Sequence, residues 1–166
     1  TFIGIGRKPA FSEVVITEIM PDPEPVVGLP NSEYLEIFNV TGDLISLGEV
    51  WLIDDRDSVQ LPDVMLAPEE YLLLTPTSSV GLFSAANTLG VPGWLSLANT
   101  QERIQLATHE LIDQVIYSED WHANEDAKDG GVSLEIIDPY WPCGGIKNWS
   151  SSTDPSGGTP GRQNAI

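Results

Sequence analysis

The sequence predicts an all-β domain: a β-sandwich of about eight short strands with one short helix and a long C-terminal segment packed back on the sandwich. Three observations lead there. Short runs of alternating apolar and polar residues recur roughly every 8–12 residues, separated by turn signals. The chain is punctuated by 15 glycines and 13 prolines, which interrupt long helices. Apolar residues make up 41% of the 166, enough to fill a core.

The elements follow in order. Thr1–Pro9, with Gly4, Gly6 and Arg7-Lys8, reads as a linker. Residues 1–11 are therefore expected to be a linker or the end of a preceding domain, and 12–166 the domain itself. A start at Thr1 is what a piece of a longer chain would show. Glu13–Met20 is rich in β-branched residues and stops at Pro21-Asp22-Pro23-Glu24-Pro25, where three prolines in five residues end any strand. Within it, Val14, Ile16, Glu18 and Met20 alternate onto one face. Glu33–Asn39 alternates with Leu35 and Ile37 on one face, and Glu36 falls between Tyr34 and Phe38. Leu44–Asp54 alternates around Gly48, and Asp55–Ser58 turns it into Val59–Leu61. Val64–Leu66 and Glu70–Thr75 flank a tight turn at Ala67-Pro68-Glu69. Thr77–Ala86 is the one predicted helix, with Ser78 or Ser79 as its cap. Glu102–Ala107, Glu110–Tyr117 and Val132–Asp138 complete the strands, and Glu119–Gly131 reads as an acidic loop. Trp149 is the anchor expected to hold the closing segment on the sandwich by burying its ring.

Charge excludes several functions. The 25 Asp and Glu against 7 Lys and Arg leave a net charge of −18, and the basic residues are scattered. Neutralising nucleic-acid phosphates requires clustered Lys and Arg. Docking on anionic lipid is opposed for the same reason. No apolar run reaches the roughly 18 residues that a membrane-spanning helix needs.

Candidate chemistry is sparse. His109 and His122 are the two histidines, with no Gly-x-Ser-x-Gly elbow to suggest a triad. His109-Glu110-Leu111-Ile112-Asp113 approaches a zinc motif, but it reads as a strand, where residues four apart lie about 13 Å from one another. Carboxylates form the strongest feature. Asp54, Asp55, Asp57 and Asp63 make one group, Asp22 and Glu24 a second, and the acidic loop a third. Asp120, Glu125, Asp126 and Asp129 are the candidate calcium ligands, with Glu119 beside them. The loop does not follow EF-hand spacing: with Gly130 at the sixth position, Ile136 stands where the closing glutamate belongs. No resident cofactor is expected beyond such an ion. Glu18, if inward, needs a partner for its charge, and Glu18 with Glu36 is the one conceivable acid pair of a glycosidase. Trp94, Trp121, Trp141, Tyr117 and Tyr140 lie near loops, where exposed rings stack on sugars. Cys143 has no partner in the chain and is expected to be a buried free thiol. Asn39-Val40-Thr41 and Asn148-Trp149-Ser150 match the glycosylation tripeptide, a frequent chance match.

A set of ordered motifs resembles one family. Ile16-Thr17-Glu18-Ile19-Met20 with Asp22-Pro23 comes first, then Glu33–Asn39, then Leu47–Leu52 with Trp51. Ala67-Pro68 before Tyr71–Leu74 follows, then Asp129-Gly130-Gly131 with Ser133-Leu134-Glu135. Asn148-Trp149, Ser152-Thr153-Asp154, Gly158-Thr159-Pro160-Gly161 and Asn164 close the series. In this order, over Glu13–Asn164, they resemble the lamin-tail domain family in its bacterial extracellular branch. The resemblance implies an immunoglobulin-like β-sandwich and no enzymatic activity. It implies a structural or interaction module of a larger secreted or cell-surface protein. Its partners would be neighbouring domains of the same chain and a protein or glycan ligand. A calcium-stabilised adhesion or carbohydrate-binding module, and an accessory domain of an extracellular hydrolase, stay open as alternatives.

Overall fold

Runs rich in Val, Ile, Leu and Tyr pair into three sheets in the computed structural model, which describes residues 6–84 and 87–166. The strands are β1 (Val14–Met20), β2 (Tyr34–Asn39), β3 (Ile45–Ser46), β4 (Trp51–Ile53), β5 (Ser58–Gln60), β6 (Met65–Leu66), β7 (Tyr71–Pro76), β8 (Thr88–Val91), β9 (Gln101–Ala107), β10 (Leu111–Ser118), β11 (Leu134–Ile136) and β12 (Trp149–Ser151). One sheet runs β12-β11-β1-β2-β7-β8, a second β10-β9-β4-β5, and β3 pairs with β6. The two larger sheets face each other across a core. Ile16, Leu35, Ile37 and Leu134 come from the first, and Leu52, Ile104, Leu106 and Tyr117 from the second. The architecture is the predicted sandwich, mostly antiparallel, with one parallel pair, β7 with β8.

Among the described residues twelve strands replace the expected eight or so. Leu44–Asp54 divides in two because Leu47 and Val50, both buried, close a turn in which the Val50 N–H donates to the Leu47 carbonyl at 2.9 Å. β8 and β12 are four and three residues long, too short to alternate visibly. The predicted helix is a 3-10 segment, Thr77–Leu82, following the rigid Pro76 without a side-chain cap, so neither Ser78 nor Ser79 plays that role. It carries the crossover between the parallel strands β7 and β8, and the last two residues of the expected helix lie outside the described residues. The acidic loop is partly helical. Asn124 Oδ1 accepts the Ala127 N–H at 3.0 Å and caps α1 (Glu125–Lys128), with acids in its first turn and Lys128 at its end.

Residues 7–11, expected to belong to a linker or the end of a preceding domain, lie against the sandwich. Arg7 exchanges backbone hydrogen bonds with Leu44 and Ser46, and its guanidinium reaches Glu13 at 2.5 Å and Asp43 at 2.8 Å.

β1 bulges between Ile16 and Glu18, where its register against β2 shifts. The bulge overturns the expected alternation. Val14 and Ile16 enter the core, but Glu18 turns to the opposite face with Met20, and Ile19 takes the inward place. Beside the bulge β11 pairs with β1 only at Glu18 and Ile19. The buried Ile16 N–H, beyond that pairing, donates instead to Asp113 Oδ2 of β10 at 2.7 Å, which ties the two sheets together. Trp149, 6% exposed, joins the core and tilts against Trp121 with centroids 6.2 Å apart. Trp149→Ala is expected to cost about 3–5 kcal/mol and lower the melting temperature by roughly 10 °C, measured by thermal and urea denaturation.

Candidate functional site

Three glutamates from three neighbouring strands share the outer face of the large sheet. In the register of β1, Glu18 stands opposite Glu135 of β11 on one side and Glu36 of β2 on the other. Side chains so placed have Cβ atoms about 5 Å apart, a spacing at which like charges repel. All three are fully buried.

The chain after β12 covers them. This strap, residues 152–166, has its own brace: Asp154 Oδ1 accepts the Ser156 N–H and hydroxyl, and Oδ2 takes Arg162 at 2.6 Å. It then presents donors to each acid. The Thr159 N–H reaches Glu18 Oε1 at 2.9 Å, and its hydroxyl reaches Glu135 Oε1 at 2.7 Å. The Gly161 N–H reaches Glu36 Oε2 at 2.5 Å, and the Ala165 N–H reaches Glu135 Oε2 at 2.8 Å. Asn164 clamps the strap end by donating to the carbonyls of Thr17 and Ile136 at 2.9 and 2.8 Å. Two glycines make the fit. Gly161 has φ +85, and a Cβ at Gly158 would run into the Tyr34 hydroxyl and Glu18 Oε1.

From the sheet itself, Glu18 Oε1 also accepts the hydroxyls of Tyr34 at 2.5 Å and Ser133 at 2.6 Å. Thr17 donates to Glu36 at 2.9 Å. Among the described residues no cation enters the row: Arg162, whose guanidinium feels Glu135 and Glu18, is bonded to Asp154 instead. Burial, with the charge of Glu135 added, pushes the Glu18 carboxyl up to about 7. Burial and the charge of Glu18 hold Glu36 well above the usual carboxylate range. Glu18 Oε2 is a fully buried oxygen without a partner. Oε1 already accepts three hydrogen bonds, so a proton taken up by this carboxyl would sit on Oε2.

The structure brings Glu18 and Glu36 together as an acid pair requires and then seals them. The calcium candidates are placed differently. Asp120 bonds Lys128 Nζ at 2.8 Å, and Glu125 lies 3.6 Å from the same ammonium. Asp126 is exposed in the first turn of α1, and Asp129 is its C-cap. Lys128 thus pairs with two of the four candidates, and among the described residues no three Asp, Glu, His or Cys side chains gather to hold a metal ion. Asp54 caps its own turn through the N–H groups of Arg56 and Asp57.

Of the histidines, His109 is exposed beside Glu110. His122 is half-buried against the Ser151 hydroxyl at 2.9 Å, and burial, with Lys128 nearby, lowers it to about 4. Cys143 is a free thiol but exposed, because it stands on the 3-10 segment Pro142–Asn148 at the surface. Tyr117 is wholly buried in the core, while Trp141 and Tyr140 are more than half exposed. Asn39 and Asn148, heads of the two glycosylation tripeptides, are buried and hold turn backbone instead. Glu135 and Asn164 carry no signal of these roles in the sequence beyond their place in the late motifs.

The family model for the Lamin Tail Domain matches residues 7–119, which carry β1 to β10 and two of the three glutamates. The chain belongs to the lamin tail domain family. Lamin tail domains have an immunoglobulin-like β-sandwich and are generally non-catalytic interaction modules. A comparison with curated proteins finds none that matches this one. In this lamin tail domain Glu135 and the strap lie beyond the matched stretch, so the row is completed by residues outside it.

The buried row has a pH signature. A carboxyl raised in the folded state holds a proton that the unfolded chain releases, so its contribution to stability is present at low pH. For Glu18 it is lost as pH rises from about 4.5 to about 7. Asp113, which burial pushes up to about 6, acts in the same direction. His122 opposes both, destabilising the fold as pH falls from 6.5 towards 4. Glu18→Gln mimics the neutral acid and isolates the first effect. Its stability relative to the parent protein is expected to rise by on the order of 1–3 kcal/mol across that range in urea denaturation. A difference independent of pH would show Glu18 ionised throughout. For the acidic loop, melting curves in millimolar calcium and in chelator are expected to coincide, and a higher melting point in calcium would reveal a bound ion.

Proposed function

We propose that this lamin tail domain is a non-catalytic structural or interaction module of a larger bacterial protein that is secreted or displayed at the cell surface. The observation that carries the non-catalytic part is the sealed row. The acids best placed to act as a pair, Glu18 and Glu36, have no solvent exposure, and the strap fills the space a substrate would need. Members of the other acid groupings are engaged by Lys128, by Arg56, by the side-chain amides of Asn99 and Asn31, or by backbone N–H groups. The bacterial and exported parts rest on the closing segment, Asn148–Asn164, whose motifs resemble that branch of the family. Neighbouring domains of the same chain are the first partners in this reading. The charge of −18 weighs against nucleic acid.

Surface biotinylation of intact cells making the full-length protein is expected to label it, and the purified domain is expected to leave chromogenic glycosides and esters uncleaved. Labelling only after lysis would overturn export. Turnover that Glu36→Gln removes would overturn the non-catalytic role.

A further inference from the structure

We propose that the groove beside the strap end is a binding subsite for a neutral saccharide. The proposal rests on the reading of the domain as an exported interaction module and names a ligand class for it. The groove has a volume of about 410 Å³, within the range of small-molecule sites. Phe38 and Tyr71 form its back wall, stacked with centroids 4.3 Å apart. Tyr140, 64% exposed, stands perpendicular to Phe38 with centroids 6.4 Å apart. Asp138, Gln163 and Asn164 supply the polar lining.

Both walls are fixed before any ligand arrives. Asn148, 1% exposed, uses its whole amide on the turn that displays Tyr140. Its Oδ1 accepts the Asp138 N–H at 2.9 Å, and its Nδ2 donates to the carbonyls of Asp138 and Trp141, each at 2.8 Å. Asp138 Oδ1 then accepts the Tyr140 N–H at 2.9 Å. Across the groove the Asn164 clamp sets Gln163. A ligand meeting such walls loses little affinity to ordering the protein.

The chemistry of the lining selects the ligand class. A sugar ring is amphipathic: its C–H face stacks on aromatic rings and its hydroxyls bond to carboxylates and amides. The groove offers both. Among the described residues no protein group bonds the Tyr71 or Tyr140 hydroxyl, the Gln163 amide or Asp138 Oδ2. The net charge and the Asp138 carboxylate repel an anionic glycan. A proline-rich peptide also suits tyrosine walls, but it has no hydroxyls for the carboxylate and amide.

The test is an NMR titration of the 166-residue chain with cellohexaose, the hexamer of N-acetylglucosamine, heparin and decaproline. A neutral hexasaccharide is expected to shift the amides of Ile137, Asp138, Tyr140 and residues 163–166, with heparin and decaproline inert. Tyr140→Ala is expected to weaken binding by about tenfold or more, and Tyr140→Phe, which keeps the ring, by less than about threefold. Gln163→Ala, on the exposed strap edge, supplies a second loss should Tyr140→Ala disturb the fold. Silence with both neutral sugars, shifts insensitive to Tyr140→Ala and Gln163→Ala, or a response to decaproline alone would overturn the subsite. Cleavage of the hexasaccharide at this groove would leave the subsite standing and overturn the non-catalytic reading.

Discussion

Three carboxyl groups lie side by side on one sheet face with no cation among them, and the rest of the outer layer answers that problem. An ionised acid removed from water is destabilising by several kcal/mol unless it is paired or bonded. Here the compensation is made of dipoles. Backbone N–H groups of Thr159, Gly161 and Ala165, and hydroxyls of Thr17, Tyr34, Ser133 and Thr159, converge on the six oxygens of the row and reach all but one of them. Five of those oxygens have a donor, and Glu18 Oε2 has none. Dipoles alone do not hold three adjacent negative charges, so Glu18 and Glu36 are pushed towards their neutral forms. Strap and row are mutually dependent. Without the row the strap N–H groups have no acceptors, and without the strap three acids face solvent beside Phe38 and Tyr71.

The bulge in β1 makes the row possible. With strict alternation Glu18 would follow Val14 and Ile16 into the core, where no donors wait. One irregular step between Ile16 and Glu18 re-aims the side chain and leaves Ile19 inside. The step has a local cost, an Ile16 N–H that meets no neighbouring strand. Asp113 meets it from the opposite sheet, at a second irregularity in β10 between Leu111 and Asp113. Two bulges thus form one joint between the layers, and the joint decides which face carries charge.

Long alternating strands were legible in the sequence because burial on one face imposes period two. β1, β2, β7, β9 and β10 lie within a residue or two of their expected places. The need for a partner at Glu18 was legible too, since an acid among β-branched residues has to be answered. Its partners were not. Ser133 lies 115 residues away and Thr159 141, and nothing local in Ser133-Leu134-Glu135 marks Glu135 as the neighbour of Glu18. Bulges leave no composition signal, so strict alternation groups Glu18 with Val14 and Ile16 as well as with Met20, and the fold keeps only Met20 beside it. In the acidic loop the carboxylates stand out in the sequence, while the helix cap at Asn124, three residues before Ala127, and the pairing of Lys128 with Asp120 and Glu125 come from the fold. The aromatic groove was half legible. Tyr140 stood out as a loop aromatic, but Phe38 and Tyr71 come from strands and meet it only through the fold.

Where the few cations go explains the surface. Arg7 fastens the chain before β1 to Glu13 and Asp43, and Lys8 reaches Glu49. Arg56 joins the β4–β5 turn to the buried Glu102, and Arg103 joins β9 to Asp55 in that same turn. Lys128 gathers the acidic loop, and Arg162 braces the strap. Exposed pairs of this kind add about 0–1 kcal/mol each, so their worth lies less in stability than in fixing where loops sit. Their placement has an outward consequence. Six of the seven cations, all but Lys147, are engaged in such pairs, and the 25 acids far outnumber them. Such a field disfavours anionic polymers and a second copy of the same chain, and it leaves short-range contacts to select among neutral or cationic ligands. Of the openings in this surface, the groove under Tyr140 combines exposed ring faces with hydrogen-bonding groups that the fold has left unused.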